Sequence, residues 1–166
     1  MNIAEDLEQI ALQERELQFA HFDHATAWRL GCWLQGVGSE NAKPIVIDIR
    51  RFEQPLFFAA LAGTTPDNLD WVRRKSNVVA RFLQSSYAVG LELKAKNTDL
   101  MKKAALPERD YAVHGGSFPL TVRGAGVIGS ITVSGLPQRQ DHELVIRALC
   151  SELGLPYQEL KLKDAD

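Results

Sequence analysis

The chain has 166 residues, of which 45% are hydrophobic, 24% charged and 8% aromatic. These values are typical of a globular protein, so we predict one domain over residues 1–166 and exclude disordered, collagen-like and disulfide-rich chains. The 19 basic and 21 acidic residues give a formal net charge of −2 at pH 7. This balance excludes the strongly basic surface of most nucleic-acid-binding proteins, so we predict no nucleic-acid partner.

The amino-terminal sequence and the cysteines bear on where the protein works. Residues 1–6 are acidic and have neither the basic start nor the apolar core of a secretory signal. The longest apolar run, 56–63, is far shorter than the roughly 20 residues needed to cross a bilayer. We expect Cys32 and Cys150 to be buried free thiols, with a disulfide or a catalytic thiol as the alternatives. These features predict a cytoplasmic protein without a membrane partner.

The hydrophobic pattern changes period several times along the first half of the chain. Helical spacing predicts a helix after an Asn2 cap, alternation predicts a strand at 17–22, and a second helix follows an Asp23 cap. Strand-like runs at 44–52 and 55–63 are separated by only two residues. Such a short connection predicts an antiparallel hairpin, because a parallel pair needs a crossover of a dozen residues or more.

The second half begins with the best-marked helix. Thr65 is a typical N-cap and Pro66 fits the first helical position, so we predict a helix from here to about Ser85. The remaining predicted elements are short helices around 91–96 and 99–105, strands at 118–123 and 127–134, and a last helix near 139–153.

This order of elements indicates the fold class. Hairpin-linked strands with helices grouped between them predict an α+β fold in which helices flank a five-stranded antiparallel sheet. Residues 124–129 match the G-x-G-x-x-G pattern of dinucleotide-binding loops. In those folds a helix follows the motif, whereas here a β-branched segment follows at 130–134. We therefore interpret the glycines as a hairpin turn.

Several segments are similar to the signature of the GlcG/HbpS-like family, also called the haem-degrading domain family. They are PDNLDWVRRK at 66–75, YAVHGGSFPL at 111–120, VIGSITVSGLP at 127–137 and Asp141–His142. The match spans most of the chain and resembles the family's branch of uncharacterised proteins. The resemblance implies a profilin-like fold and homo-oligomers. It also implies haem as a candidate cofactor, because some members bind haem, but it implies no settled activity.

Two loops contain candidate ligand-binding residues. Around His114, Gly115 and Gly116 the backbone N–H groups have little steric cover, so this loop is either an anion-binding nest or a tight turn into the next strand. Ser134 and Gly135 precede the last helix and are the second candidate pair.

The first turn of that last helix adds Asp141 and His142. Asp141 either supports the helix N-terminus electrostatically or belongs to a site. His142 is a candidate base or metal ligand. Neighbours on a helix point about 100° apart, so Asp141 does not automatically orient the imidazole of His142.

The helix predicted after Thr65 has a basic face. Arg73 and Arg74 lie on this face, and Lys75 borders the apolar side. These side chains either hold haem propionates, a phosphorylated metabolite or an acidic partner, or they form a solvated face paired with Asp70. We interpret the tryptophans as core or subunit-contact residues: Trp28, Trp33 and Trp71.

The four histidines form no H-E-x-x-H motif and the cysteines no C-x-x-C motif, so we predict no structural zinc site. A haem needs only one axial histidine, which leaves His24, His114 and His142 as alternatives to purely structural histidines. No nucleophile–base pair stands at a recognisable spacing, so the catalytic residues and any reaction stay open. Two functions remain, a small-ligand-binding protein or a non-enzymatic oligomeric scaffold, and we favour ligand binding.

Overall fold

The computed structural model describes residues 2–163. The helices are α1 (Ile3–Glu16), α2 (His24–Glu40), α3 (Pro66–Phe82), α4 (Ser86–Ala95), α5 (Leu100–Ala104), α6 (Gln138–Leu153) and α7 (Tyr157–Leu160). The strands are β1 (Gln18–Phe19), β2 (Val46–Arg51), β3 (Gln54–Ala60), β4 (Ser117–Val122) and β5 (Gly126–Ser134). Within this described part, no helix has the length and apolar character required to span a bilayer.

Capping residues fix the starts of the first helices as predicted. The Asn2 side chain accepts hydrogen bonds from the first turn of α1, and Asp23 accepts one from the Thr26 backbone N–H at 2.8 Å. Helix α3 starts at Pro66 but ends before the predicted Ser85. The reason is Leu83, which adopts a left-handed conformation with φ of 57° and is 52% exposed rather than packed inward.

The sheet has five strands in the order β1-β4-β5-β2-β3. The β2–β3, β2–β5 and β4–β5 pairs are antiparallel, as expected from hairpins, but β1 pairs with β4 in parallel. The predicted antiparallel sheet is therefore corrected to a mixed one. The passage of the chain from α1 to α2 sets the direction of β1, which is not part of a hairpin. The strand predicted at 17–22 shortens to two residues because the chain leaves the sheet to reach the Asp23 cap.

The glycine motif is a hairpin, as predicted. Gly124 and Gly126 have φ values of 80° and 81° in the turn between β4 and β5, and β5 continues through Gly129 as a strand. A side chain at Gly129 would overlap with the backbone of Arg50 in β2, so this glycine serves close strand packing. It has no role in cradling a phosphate.

The two faces of the sheet differ in chemistry. Helices α2 and α6 cover an apolar face whose core includes Ile47 and Ile131. Gly31 allows α2 to approach the sheet closely, because a Cβ there would overlap with the Phe57 ring. Helix α3 covers the other, more polar face, where the Ser117 hydroxyl is 2.8 Å from a threonine hydroxyl of β5. The end of β5 thus meets α3 and the start of α6.

The two cysteines differ in environment. Both are free thiols. Cys150 lies in the core, where burial raises its pKa to about 11 and keeps the thiol protonated. Cys32 is exposed on α2, so the expectation that both are buried was wrong for this residue.

Candidate functional site

Trp71 and His114 form the centre of the candidate site. Their rings meet edge to face, with centroids 5.0 Å apart and an angle of 83° between the planes. Trp71 lies in α3, and His114 lies in the loop before β4. This loop is held in place by the Ser86 hydroxyl, which donates to the His114 carbonyl at 2.6 Å. Both rings line two neighbouring cavities.

A buried ion pair lies beside these rings. The side chain of Lys75 is 4% exposed, and its ammonium group donates to Asp141 Oδ2 at 2.9 Å and to the Val133 carbonyl at 3.3 Å. The Asp141 carboxylate also accepts from the backbone N–H groups of Leu136 at 3.0 Å and Gly135 at 3.4 Å. The structure thus brings together three of the predicted site residues: Lys75 of α3, Gly135 directly after β5 and Asp141 at the start of α6.

This ion pair changes the expected chemistry of the loops. Burial lowers the pKa of the Lys75 ammonium group and raises the pKa of the Asp141 carboxyl group, whereas their attraction opposes both shifts. The backbone N–H groups of Gly135 and Leu136 are used by Asp141, and that of Gly115 donates to Gln138 Oε1 at 3.3 Å. Asp141 therefore uses the N–H groups after β5, and Gln138 uses that of Gly115 in the loop predicted as an anion-binding nest or a tight turn.

The paired glycines explain how the loop reaches this position. Gly116 has φ of 125°, and a Cβ there would lie 2.8 Å from Lys75 Nζ and would overlap with the Val133 carbonyl. A Cβ at Gly115 would overlap with the Gln138 carbonyl. These close approaches correspond to the predicted tight turn, since the loop has to lie directly against β5 and α6.

The larger cavity, of about 540 Å³, lies on one side of the Trp71–His114 pair. It opens between α3, the end of α4, α5 and the segment 108–114. Its apolar and aromatic walls include Leu93, Leu100, Tyr111 and Val113. Charged side chains at its border are the basic Arg74, Lys94 and Lys102 and the acidic Asp99 and Glu108. Because the basic groups outnumber the acidic ones, the cavity suits a ligand with an apolar body and acidic groups.

The smaller cavity has a volume of about 260 Å³, and most of the residues that line it have polar or charged side chains. It is bounded by the starts of α3 and α6 and by the end of β5. Besides the two central rings, its lining includes Asn68, Lys75, Ser134, Gly135, Gln138 and Asp141. Five of the ten predicted site residues thus line the smaller of the two cavities.

His114 has the chemistry of a neutral ligand. Burial, and then the positive charges of Lys75 and Arg74, lower the pKa of His114 below its usual value. The imidazole is therefore neutral at pH 7 and keeps a free lone pair. Within residues 2–163, no group of three or more histidine, cysteine, aspartate or glutamate side chains is arranged to hold a metal ion. A metal at His114 would have to bring most of its ligands with it.

The two predicted arginines differ in their surroundings. The Arg74 guanidinium lies 4.2 Å from the centroid of the Trp71 ring, and its Nε lies 2.9 Å from Asp70 Oδ2. Arg73 lies on the exposed side of α3, where it pairs with Asp70 at 2.9 Å and Asp110 at 3.4 Å. Arg73 lines neither of the two cavities, so only Arg74 faces the candidate site.

His142 lies apart from the other predicted residues. It is fully buried, its Nε2 is 2.8 Å from Gln13 Oε1, and its ring packs against Tyr87 and Phe118. Burial lowers its pKa to about 3, so the ring is neutral. The side chains of His142 and Asp141 leave α6 in different directions, as expected for neighbours on a helix.

Sequence reasoning missed the walls of the larger cavity. Trp71 was interpreted as a core or subunit-contact residue, although it lines both cavities. The spacing of Trp71 and Arg74, three residues apart on one helix, was a usable signal for stacking. Lys94, Lys102 and Tyr111 carry no comparable signal, because packing between separate segments brings them together.

Comparisons with known proteins agree with this architecture. A "UPF0303 protein" from Paraburkholderia phymatum is 58% identical over 165 residues, covering 99% of this chain and all of the relative. The Ybr137w protein has a similar structure with a TM-score of 0.81 at 28% identity, over 87% of this chain and 86% of the other. The protein in the PduOC:Heme complex shares the fold with a TM-score of 0.64 at 15% identity, over 78% of this chain and 94% of the other. Residues 22–150 match the family described as haem degrading protein HbpS-like, and the chain belongs to this family.

Proposed function

We propose that the protein binds a small planar ligand with acidic groups in the larger cavity, and that this ligand is haem. The observation that carries the proposal is the position of His114, a neutral imidazole at the border of a cavity of about 540 Å³. Cavities of this size typically hold small organic ligands and cofactors. The name of the family and the haem bound to the PduOC protein support haem as the first candidate.

The lining residues fit the chemistry of haem. Leu93, Leu100 and Trp71 offer apolar contact to a porphyrin, and one histidine is sufficient as an axial ligand. Propionate groups would pair with Arg74 and with Lys94, two basic side chains at the border of the cavity. Bound haem would supply a redox-active iron centre.

The remaining predicted residues support the position of His114. In this proposal Lys75, Gly116 and Asp141 hold the loop against the sheet, and Gly115 allows its contact with α6. Ser134 and Gly135 line the smaller cavity beside it. We assign no haem contact to Arg73 or His142.

A haem titration of the purified protein tests the proposal. We expect the wild-type protein to give a saturable Soret band. His114→Ala should lower the affinity for haem at least about tenfold, because the variant loses the histidine that would bind the iron. His24→Ala is the matched control, since His24 is exposed at the start of α2 and lines neither of the two cavities. Equal affinity in wild type and His114→Ala would show that the proposed ligand residue is not used.

A second proposal concerns assembly: the protein forms homo-oligomers through the free edge of β3. This strand is an end of the sheet, and an unpaired edge can add a strand from another copy. Phe58 on β3 is 48% exposed, and Trp28 on the neighbouring α2 is 64% exposed. Large exposed apolar side chains next to a sheet edge favour self-association over isolated monomers.

We also propose a cytoplasmic location. The exposed free thiol of Cys32 supports it, because exposed thiols persist in a reducing compartment. The net charge of −2 supports a small ligand over nucleic acid as the partner.

A further inference from the structure

We infer that the smaller cavity is a second binding subsite, and that it takes an uncharged group that accepts hydrogen bonds. A carboxamide is the simplest chemical class that fits. The subsite has its own polar residues, so it does not depend on haem as the ligand of the larger cavity. The two cavities share only the Trp71 and His114 side chains as a wall.

Ser134 is the first observation behind this subsite. The residue is only 4% exposed and lines the cavity. No hydrogen bond to another described residue uses its hydroxyl, and the hydroxyl is not among the fully buried polar atoms without a partner. It therefore remains open to solvent at the cavity. A ligand there can take the place of water as its hydrogen-bond partner.

Two side-chain amides add donors to the same cavity. Asn68 Oδ1 accepts from the Thr65 backbone N–H at 2.8 Å, and Gln138 Oε1 accepts from the Gly115 backbone N–H at 3.3 Å. A backbone N–H only donates, so these contacts fix the oxygen end of each amide. The amino end of each then remains without a partner within residues 2–163. The lining therefore offers free donors at Ser134, Asn68 and Gln138 and free acceptors at His114 and Asp67, and a carboxamide has groups that pair with both.

The charges around the cavity favour a neutral occupant. Lys75 and Asp141 largely cancel each other as an ion pair. The Asp67 carboxylate accepts from Trp71 Nε1 at 3.1 Å and lies at the start of α3, where the helix dipole offsets its charge. An anion would meet two carboxylates, and a cation would meet Lys75 and two helix N-termini. A carbonyl oxygen avoids both conflicts and uses the free donors.

The inference is tested with three probes that share one ring and differ in head-group charge: benzamide, benzoate and benzylammonium. Each is titrated into the ¹⁵N-labelled full chain, and chemical shifts are followed at Ser134 and at the side-chain amides of Asn68 and Gln138. We expect benzamide to bind at least about fivefold more tightly than either charged probe, with the largest shifts at these groups. Ser134→Ala should weaken benzamide about 3- to 10-fold, as expected for one lost hydrogen bond.

Two further variants control the result. Ser151→Ala removes an exposed serine of α6 and should leave benzamide affinity unchanged. Gln138→Ala changes an exposed side chain and tests the same subsite without the packing risk at Ser134. Tightest binding of benzoate or benzylammonium, equal binding of all three probes, or no binding would each overturn the inference. Two results would separate this subsite from the proposed haem site. Ser134→Ala could keep haem binding while losing benzamide affinity, or the wild type could bind benzamide without binding haem.

Discussion

Lys75 Nζ lies 2.9 Å from Asp141 Oδ2, and this contact joins the middle of α3 to the first turn of α6 beneath the backbone of Gly116. Both groups are almost completely buried. The pair therefore fixes the relative position of two helices and of the loop that carries His114. Such a pair is costly to break on one side, because the remaining charge stays buried without its partner.

We predict that Lys75→Met lowers the free energy of unfolding by about 3–5 kcal/mol, measured by urea denaturation. Lys103→Met is the matched control: Lys103 is exposed and lies 3.8 Å from Glu92, so its loss should cost less than about 1 kcal/mol. Equal losses in the two variants would contradict the structural role assigned to the buried pair.

Gly116→Ala should destabilise the protein by about 3 kcal/mol, because the new methyl group would press on Lys75 and on the Val133 carbonyl. Gly124→Ala serves as the comparison. Gly124 also has a positive φ, of 80°, but a Cβ there has no neighbour within 4 Å, so only the backbone cost of about 1–2 kcal/mol applies. Thermal or urea unfolding measures both. If Gly116→Ala lowers the free energy of unfolding no more than Gly124→Ala does, this result would contradict the close packing of the loop at Gly116.

The buried His142 predicts a pH dependence of stability. Its pKa falls from 6.5 to about 3 in the folded protein, so between these values the unfolded chain binds a proton that the folded chain does not. Stability contributed by neutral His142 is complete above pH 6.5 and is lost as the pH falls towards 3, by up to about 1.4 kcal/mol per pH unit. Urea denaturation at several pH values gives the free energy of unfolding as a function of pH. Between pH 3 and 6.5 its slope should be shallower for His142→Gln than for wild type. Parallel slopes would mean that folding does not lower the pKa of His142.

The sheet edge predicts an effect on assembly. Phe58→Ser should shift the protein towards monomers in light scattering, because it removes an exposed apolar side chain from β3. Met101→Ser is a suitable control, since Met101 is 54% exposed but lies on α5, away from that edge. A wild-type monomer at micromolar concentration, or equal effects of both substitutions, would count against assembly through β3.

Much of the fold was predictable because its signals are local. Thr65 and Pro66 mark the start of α3, and the β-branched residues after Gly129 distinguish a strand from a nucleotide-binding helix. The direction of β1 was not predictable, since two residues contain no register information and the path of the chain decides it.

The site was predicted in part for the same reason. The glycines and Asp141 stand out in the sequence, but the burial of Lys75 depends on three segments that meet only in the folded chain. The larger cavity depends on packing between α3, α4 and α5, to which no single motif points. Helix geometry separates His142 from Asp141, but the burial of His142 beside Gln13 depends on the packing of α1 against α6.

The most direct measurement is the crystal structure of the protein prepared with haem. We predict a porphyrin in the larger cavity, stacked near Trp71, with a ring nitrogen of His114 on the iron and the propionates towards Arg74 and Lys94. Iron bound to a different residue, or a porphyrin held at the β3 edge, would contradict the assignment of this cavity.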